Sequence, residues 1–195
     1  MKNKMEDMAK TMLPTKEFNR ELDHHIDFVK KTMIGSKSFQ PMLILKTAKG
    51  NTLPCMFDSL ADTSEGRAKQ MEDVGRKIVE VTHKNKDVVV MAMFMSEVWY
   101  AMGSKDKENP LPPEVTLPLK DSPVKAEGIS IAGTTVDGRQ NMSVLPIMRA
   151  KDGTPMIVEA KIETSYCDDT DKNDGSVNYI MRGFWRGYLM KLMGK

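Results

Sequence analysis

The stretch from Asp87 to Met102, DVVVMAMFMSEVWYAM, constrains the fold more than any other part of the chain. Successive side chains of a β-strand point to opposite faces, and nearly every position here is apolar. A strand that is apolar on both faces must be covered on both faces, which is typical of the central strand of a sheet. The one charged interior position, Glu97, lies between Met95 and Trp99 on a single face.

The composition is that of a soluble globular protein with one core. The chain has 195 residues, of which 40% are hydrophobic and 29% charged, and its net charge is +2. That charge is too small to indicate nucleic-acid binding. Cys55 and Cys167 are too few and too far apart for a disulfide framework or a zinc site. The sequence also lacks a signal-peptide core and a membrane-spanning window, so we expect a cytoplasmic protein.

The N-terminal segment, residues 1–14, is predicted to be an arm that docks on the core or on a neighbouring subunit. It carries four methionines at helical spacing, namely Met1, Met5, Met8 and Met12. A segment this short, with only a narrow apolar stripe, would be barely stable as an isolated helix. The chain holds 18 methionines, a residue that fills irregular gaps and also serves adaptable binding surfaces, although codon bias explains the number equally well.

Two helices are predicted before the central strand. Thr15 is placed to cap the first, over residues 16–34, and the pair Asp62 and Glu65 forms a capping box for the second, over residues 63–83. The first helix has a buried stripe of Phe18, Leu22, His25, Ile26, Val29 and Met33. The second has a stripe of Ala68, Met71, Val74, Ile78 and Val81. Its interior Gly75 indicates a close approach to the sheet.

The strands are predicted from alternation and turn residues. Strands 41–48 and 52–57 are joined at Gly50-Asn51, and strands 128–136, 140–149 and 155–166 are joined by two Asp-Gly turns. In the last strand, four residues are expected to face inward: Met156, Val158, Ala160 and Ile162. Residues 103–113 are expected to form an exposed flap, and 114–120 an edge strand because of its proline. The whole chain, 1–195, is therefore predicted to be one α+β domain, with a mostly antiparallel sheet of six or seven strands and two or three helices.

A resemblance supports this strand order. Ser96-Glu97-Val98-Trp99, a proline-rich loop with Glu114, and a hairpin meander with Arg149 and Asp152-Gly153 are similar to motifs of uncharacterised small α+β proteins from microbes and their viruses. The resemblance covers residues 41–160 and implies no activity.

Glu97, Trp99 and Arg149 are the candidate ligand-binding residues. A carboxylate on a covered strand must be paired or have a raised pKa. Glu97 could therefore be a general base or a polar anchor in a pocket. The structural alternative, which the sequence favours, is an ion pair with Arg149. In a further alternative, the strand leaves the core at Glu97 and the carboxylate is solvated.

Two patterns that suggest metal binding are incomplete. Glu21 and His25 are one helical turn apart, but His24 and His25 point about 100° apart and cannot chelate together. The acidic loop 167–176 begins like a calcium loop but has Asp174 where glycine is required. We therefore expect no metal site and, without any phosphate-loop or dinucleotide fingerprint, no cofactor.

The C-terminal segment, residues 183–195, is basic and aromatic. Its candidate partner-binding residues are Phe184, Trp185, Arg186 and Tyr188. Such a composition can bind single-stranded nucleic acid or an anionic membrane surface. The glycines at 183, 187 and 194 instead favour packing against another backbone, in this chain or in a second subunit. Residues 177–182 could be either helix or strand.

The sequence favours a non-catalytic interaction or structural protein that associates with itself or with another protein. One alternative is an enzyme or small-ligand-binding protein with a cleft near Glu97. Another is nucleic-acid binding through the C-terminal segment, which the low net charge makes the least favoured. A deep pocket at Glu97 and Arg149 would indicate the first alternative, and a continuous basic groove the second. A flat apolar patch that includes the C-terminal segment would indicate the leading hypothesis.

Overall fold

A computed structural model describes residues 13–33, 36, 38–100, 125–158, 162–164 and 177–194. Within these residues the chain forms three helices and one seven-stranded sheet. The helices are α1 (Thr15–Met33), α2 (Ser64–Lys84) and α3 (Val177–Leu192). The strands are β1 (Met42–Thr47), β2 (Thr52–Met56), β3 (Val89–Tyr100), β4 (Ala126–Thr135), β5 (Gln140–Arg149), β6 (Pro155–Ile157) and β7 (Ile162–Thr164).

The predicted α+β class is confirmed. Four predicted features, the arm up to residue 12, the flap, strand 114–120 and the acidic loop, lie outside the described residues.

β3 lies in the interior of the sheet, as predicted. The strand order is β2-β1-β3-β4-β5-β6, β7 also pairs with β5, and every pairing is antiparallel. Met91, Met93 and Met95 belong to the core on one face of β3, and Ala92 and Phe94 to the core on the other. None of these five side chains is more than 1% exposed. The chain therefore builds two cores, one on each side of a single sheet.

α1 covers the first face with the predicted stripe, and all six of its members are buried. The amphipathic pattern predicted the buried face of α1 correctly because large side chains at helical spacing make the contacts. The start of the helix differs by one residue from the prediction. The carbonyl of Pro14 accepts the N–H groups of Glu17 and Phe18, so Thr15 is the first helical residue and not the cap.

α2 and α3 cover the second face and contact each other through glycines. A Cβ added at Gly75 would meet the backbone of α3 at Phe184, and one added at Gly187 would meet the carbonyl of Glu72 on α2. Gly183 has the same relation to Ala68. Gly75 thus approaches α3, and the prediction that it approaches the sheet was wrong.

The glycine contact also rotates α2 relative to the predicted stripe. Its buried residues are Ala68, Met71, Gly75, Val79 and Thr82. Val81, predicted to be buried, is 49% exposed. The cap is Thr63, whose side chain accepts the N–H of Gly66, and not Asp62.

The last predicted strand is divided into β6 and β7, and β6 turns a different face inward from the one predicted. Ala160 and the side chain of Ile162, also predicted to face inward, lie outside the described residues. Pro155 is buried and Ile157 packs on the core beneath α1, whereas Met156 is 52% exposed. The prediction that Met156 faces inward was therefore wrong. Val158 donates to the carbonyl of Pro146, and proline has no N–H to return. The pairing with β5 is weakened there, and β6 ends at Ile157.

Candidate functional site

Glu97, Trp99 and Arg149 meet at one end of the sheet, on the face that α1 covers further along. In the register Glu97 is opposite Ile129, and Trp99 is opposite Glu127. We call this region the open end: residues 97–100 of β3, the start of β4, the end of β5, and β6. Here three large apolar side chains are exposed, Trp99 by 45%, Met148 by 60% and Met156 by 52%.

Arg149 binds Glu127 more closely than it binds Glu97. Its Nε lies 2.8 Å from Oε2 and 3.1 Å from Oε1 of Glu127, and its Nη2 also contacts Oε1. These hydrogen bonds, and then the charges of Glu127 and Glu97, raise the pKa of Arg149. Sequence reasoning missed Glu127. Only the pairing of β4 with β3 and β5 places it between Trp99 and Arg149.

Glu97 forms the expected ion pair and is partly buried. Its side chain is 30% exposed, and its Oε2 lies 3.8 Å from Nη2 of Arg149. Its shortest contact was not predicted: the N–H of Phe39 donates to Oε1 at 2.6 Å. Glu97 thereby holds the segment between α1 and β1 against β3, which is a structural role.

Trp99 presents its ring to a cation of the same chain. Nζ of Lys125 lies 4.7 Å from the ring centroid, within the range of a cation–π contact. The open end thus combines an aromatic ring, two carboxylates, a guanidinium and an ammonium group. Both carboxylates already accept hydrogen bonds, so the arrangement suits recognition better than proton transfer.

The opposite face of the open end is apolar. Met148 and Met156 are direct cross-strand partners on β5 and β6. The ring of Tyr100 lies over Gly128 on the same face, and burial raises the pKa of its hydroxyl. We call Tyr100, Met148 and Met156 the methionine surface. The sequence did not reveal this surface, because alternation fits either face of β6 equally well.

The C-terminal candidates lie largely within the fold. Phe184 and Tyr188 are fully buried, and the hydroxyl of Tyr188 accepts the N–H of Val89 at 2.8 Å. Nε1 of Trp185 donates to Thr134, and Arg186 is exposed and pairs with Glu72 on α2. The segment is helical from Val177 and packs on the protein itself. Partner binding by these four residues stays a prediction.

One ring nitrogen of His25 on α1 is engaged in local structure. Nδ1 of His25 donates to the carbonyl of Glu21 at 2.7 Å, and the carboxylate of Glu21 pairs with Lys46 at 3.2 Å. Within the described part of the chain, no group of three or more His, Cys, Asp or Glu residues could hold a metal ion. None of the helices described there is long and apolar enough to cross a membrane.

Comparisons of the chain with family models, with curated proteins and with solved structures give no match. The resemblance drawn from residues 41–160 therefore stays a prediction.

Proposed function

We propose that the chain is a non-catalytic interaction protein that self-associates through the methionine surface. One observation carries the proposal: Met148 and Met156 are adjacent across β5 and β6 and are 60% and 52% exposed. Burying a methionine side chain stabilises an interface by roughly 1.5–3 kcal/mol. Methionine also adapts its shape to the surface it meets. The proposal includes the cytoplasmic location expected from the sequence.

The sheet edges favour contact through side chains over strand addition. The hydrogen bonds from Thr47 to Asn51 and from Phe57 to Pro41 fix the register of β2, which turns the nitrogen of Pro54 away from β1. In the same way, the hydrogen bond from Ala150 to Thr154 fixes the register of β6, and the nitrogen of Pro155 points away from β5. Proline at such a position removes a donor from the outer edge, which protects an edge strand from pairing with another chain.

The charges around the open end are compatible with a second copy of this chain as the partner. Glu97 and Glu127 are balanced by Lys125 and Arg149, and the adjacent turn adds Lys151 and Asp152. Because these six charges sum to zero, the open end of one copy does not repel the same region of a second copy. Nucleic acid would require an excess of positive charge, and the large aromatic residues of α3 are engaged in the core.

Sedimentation velocity over a range of protein concentrations tests the proposal. We expect the wild-type chain to form a dimer, and Met148→Gln with Met156→Gln to weaken dimerisation by about tenfold or more. Met56→Gln is the matched control, because Met56 is also 52% exposed but lies on the opposite edge strand, β2. A wild-type chain that stays monomeric, or equal weakening by the control, would contradict the proposal.

A second candidate is small-ligand binding on the other face of the open end. It is favoured by the convergence of Glu97, Trp99 and Arg149, with Trp99 45% exposed. Two cavities in the described part of the chain are lined by other residues. A ligand screen by fluorescence, with Trp99→Phe removing the response, would support this function over the first.

A further inference from the structure

A cavity of about 310 Å³ lies between α1 and the hairpin formed by β1 and β2, far along the sheet from the methionine surface. Six residues line it: Arg20, Glu21, His24, His25, Lys46 and Thr52. All six are polar, and four carry basic nitrogen atoms. The only carboxylate in the lining belongs to Glu21, so donors outnumber anionic acceptors in this wall.

Lys46 is held at the wall by Glu21. Their Nζ and Oε1 atoms are 3.2 Å apart, and the two side chains are only 20% and 15% exposed. An ammonium group has three donors, and this contact uses one of them. The pair therefore fixes the position of the cation and leaves it capacity for a ligand. The ammonium group of Lys46 also occupies the position beside the Glu21 carboxylate that a metal ion would take.

His25 adds an acceptor to the same wall. Its Nδ1 contacts a backbone carbonyl, which can only accept, so Nδ1 carries the proton and Nε2 is left for a ligand. Burial, followed by the charges of His24 and Lys46, lowers the pKa of His25 and outweighs the opposing effects of Glu21. The imidazole is therefore neutral at neutral pH. The ring of His24 lies edge-on at 5.4 Å.

We infer that this cavity binds a small oxyanion of the phosphate class. Arg20 pairs with Glu17 through Nη2 at 3.5 Å, which leaves its other guanidinium donors for the anionic oxygens of a ligand. Lys46 supplies a second charged donor and His24 a ring N–H, and charge-assisted bonds are about twice as strong as neutral ones. Nε2 of His25 accepts the hydroxyl that a monoprotonated phosphate carries.

The test is a titration of the full chain with inorganic phosphate against sodium chloride of equal ionic strength, followed by the imidazole NMR signals of His24 and His25. We expect saturable shifts of both rings. Arg20→Gln and Lys46→Met should each weaken binding by about tenfold, the loss of one charge-assisted bond. Lys31→Gln, on the same helix but exposed and outside the cavity, should bind as the wild type does.

Shifts that do not saturate, or equal weakening by Lys31→Gln, would overturn the inference, since either would indicate diffuse electrostatic attraction. So would saturable shifts with zinc chloride and none with phosphate, which would indicate a metal site. If Lys46→Met does not fold, Arg20→Gln and His24→Gln decide the question, because both side chains are exposed and tolerate substitution.

Discussion

The two ends of β3 differ although the sequence is similarly apolar at both. From Val89 to Met95, which we call the closed end, no side chain is more than 1% exposed, because helices cover both faces. From Glu97 to Tyr100 the same strand is partly exposed. The difference teaches that an apolar strand predicts a covered strand, but does not predict which element covers it. At the closed end helices cover the strand, and at the open end we propose that a second copy of the chain does so.

Partly buried polar bonds at Asp87, two residues before the closed end, fix the start of β3 to its surroundings. The carboxylate of Asp87 accepts from the N–H groups of Lys49 and Val88 and from the side chain of Asn51. Burial is the largest influence and would raise the pKa of Asp87, but these bonds and that of Thr47 together lower it. No comparable set of bonds among the described residues holds the side chains of the methionine surface.

The largest effect is expected from adding one methyl group where α2 meets α3. Gly187→Ala should lower the free energy of unfolding by about 3 kcal/mol, because the new Cβ meets the backbone carbonyl of Glu72 and the helices must separate. In an exposed helix the same change stabilises by roughly 0.5–1 kcal/mol. The free energy of unfolding of Gly187→Ala, measured by urea denaturation, therefore decides whether the close helix contact exists. A decrease supports the contact and an increase contradicts it.

A smaller effect is expected at Asp87. Asp87→Asn should destabilise the fold by about 2 kcal/mol at neutral pH, because the amide cannot accept every bond that the carboxylate accepts. Since the folded-state pKa lies below the unfolded value of 3.8, the stabilisation is complete above that value and is lost as the pH falls through the folded pKa. Urea denaturation from pH 7 to pH 2.5 measures the difference in free energy of unfolding between wild type and variant, and we expect this difference to decrease below about pH 4. A difference that does not depend on pH would contradict this account.

The smallest effect is expected at the open end. Glu97→Gln should cost less than about 1 kcal/mol, because Glu97 is 30% exposed and Arg149 keeps its bonds to Glu127. Thermal melts of Glu97→Gln and Asp87→Asn, measured side by side, compare the two ends directly. A larger loss for Glu97→Gln than for Asp87→Asn would contradict the account that the polar bonds of the open end contribute less to stability.

The sequence predicted the features that depend on large side chains at regular spacing. The stripe of α1, the interior position of β3 and the three hairpins are of this kind. Gly50, Gly138 and Gly153 adopt φ values of 83°, 88° and 84°, which the loops between these strands require.

The features that the sequence did not predict depend on tertiary context. The buried face of α2 is set by Gly75, which has no side chain for a hydrophobic pattern to register. Glu127 joins the candidate site only through the pairing of three strands. The exposure of Met156 follows from the reversed face of β6, which alternation alone could not distinguish from the opposite choice.

Methyl NMR of the methionines tests the central claim most directly, because the chain carries 18 of them and several lie at known positions. Spectra of the wild-type chain, labelled at the methionine methyl groups, would be compared at low and high protein concentration. The account predicts that the signals of Met148 and Met156 shift with concentration, while those of the buried Met93 and the exposed Met56 do not. Signals of Met148 and Met156 that stay fixed while the protein forms dimers would contradict it.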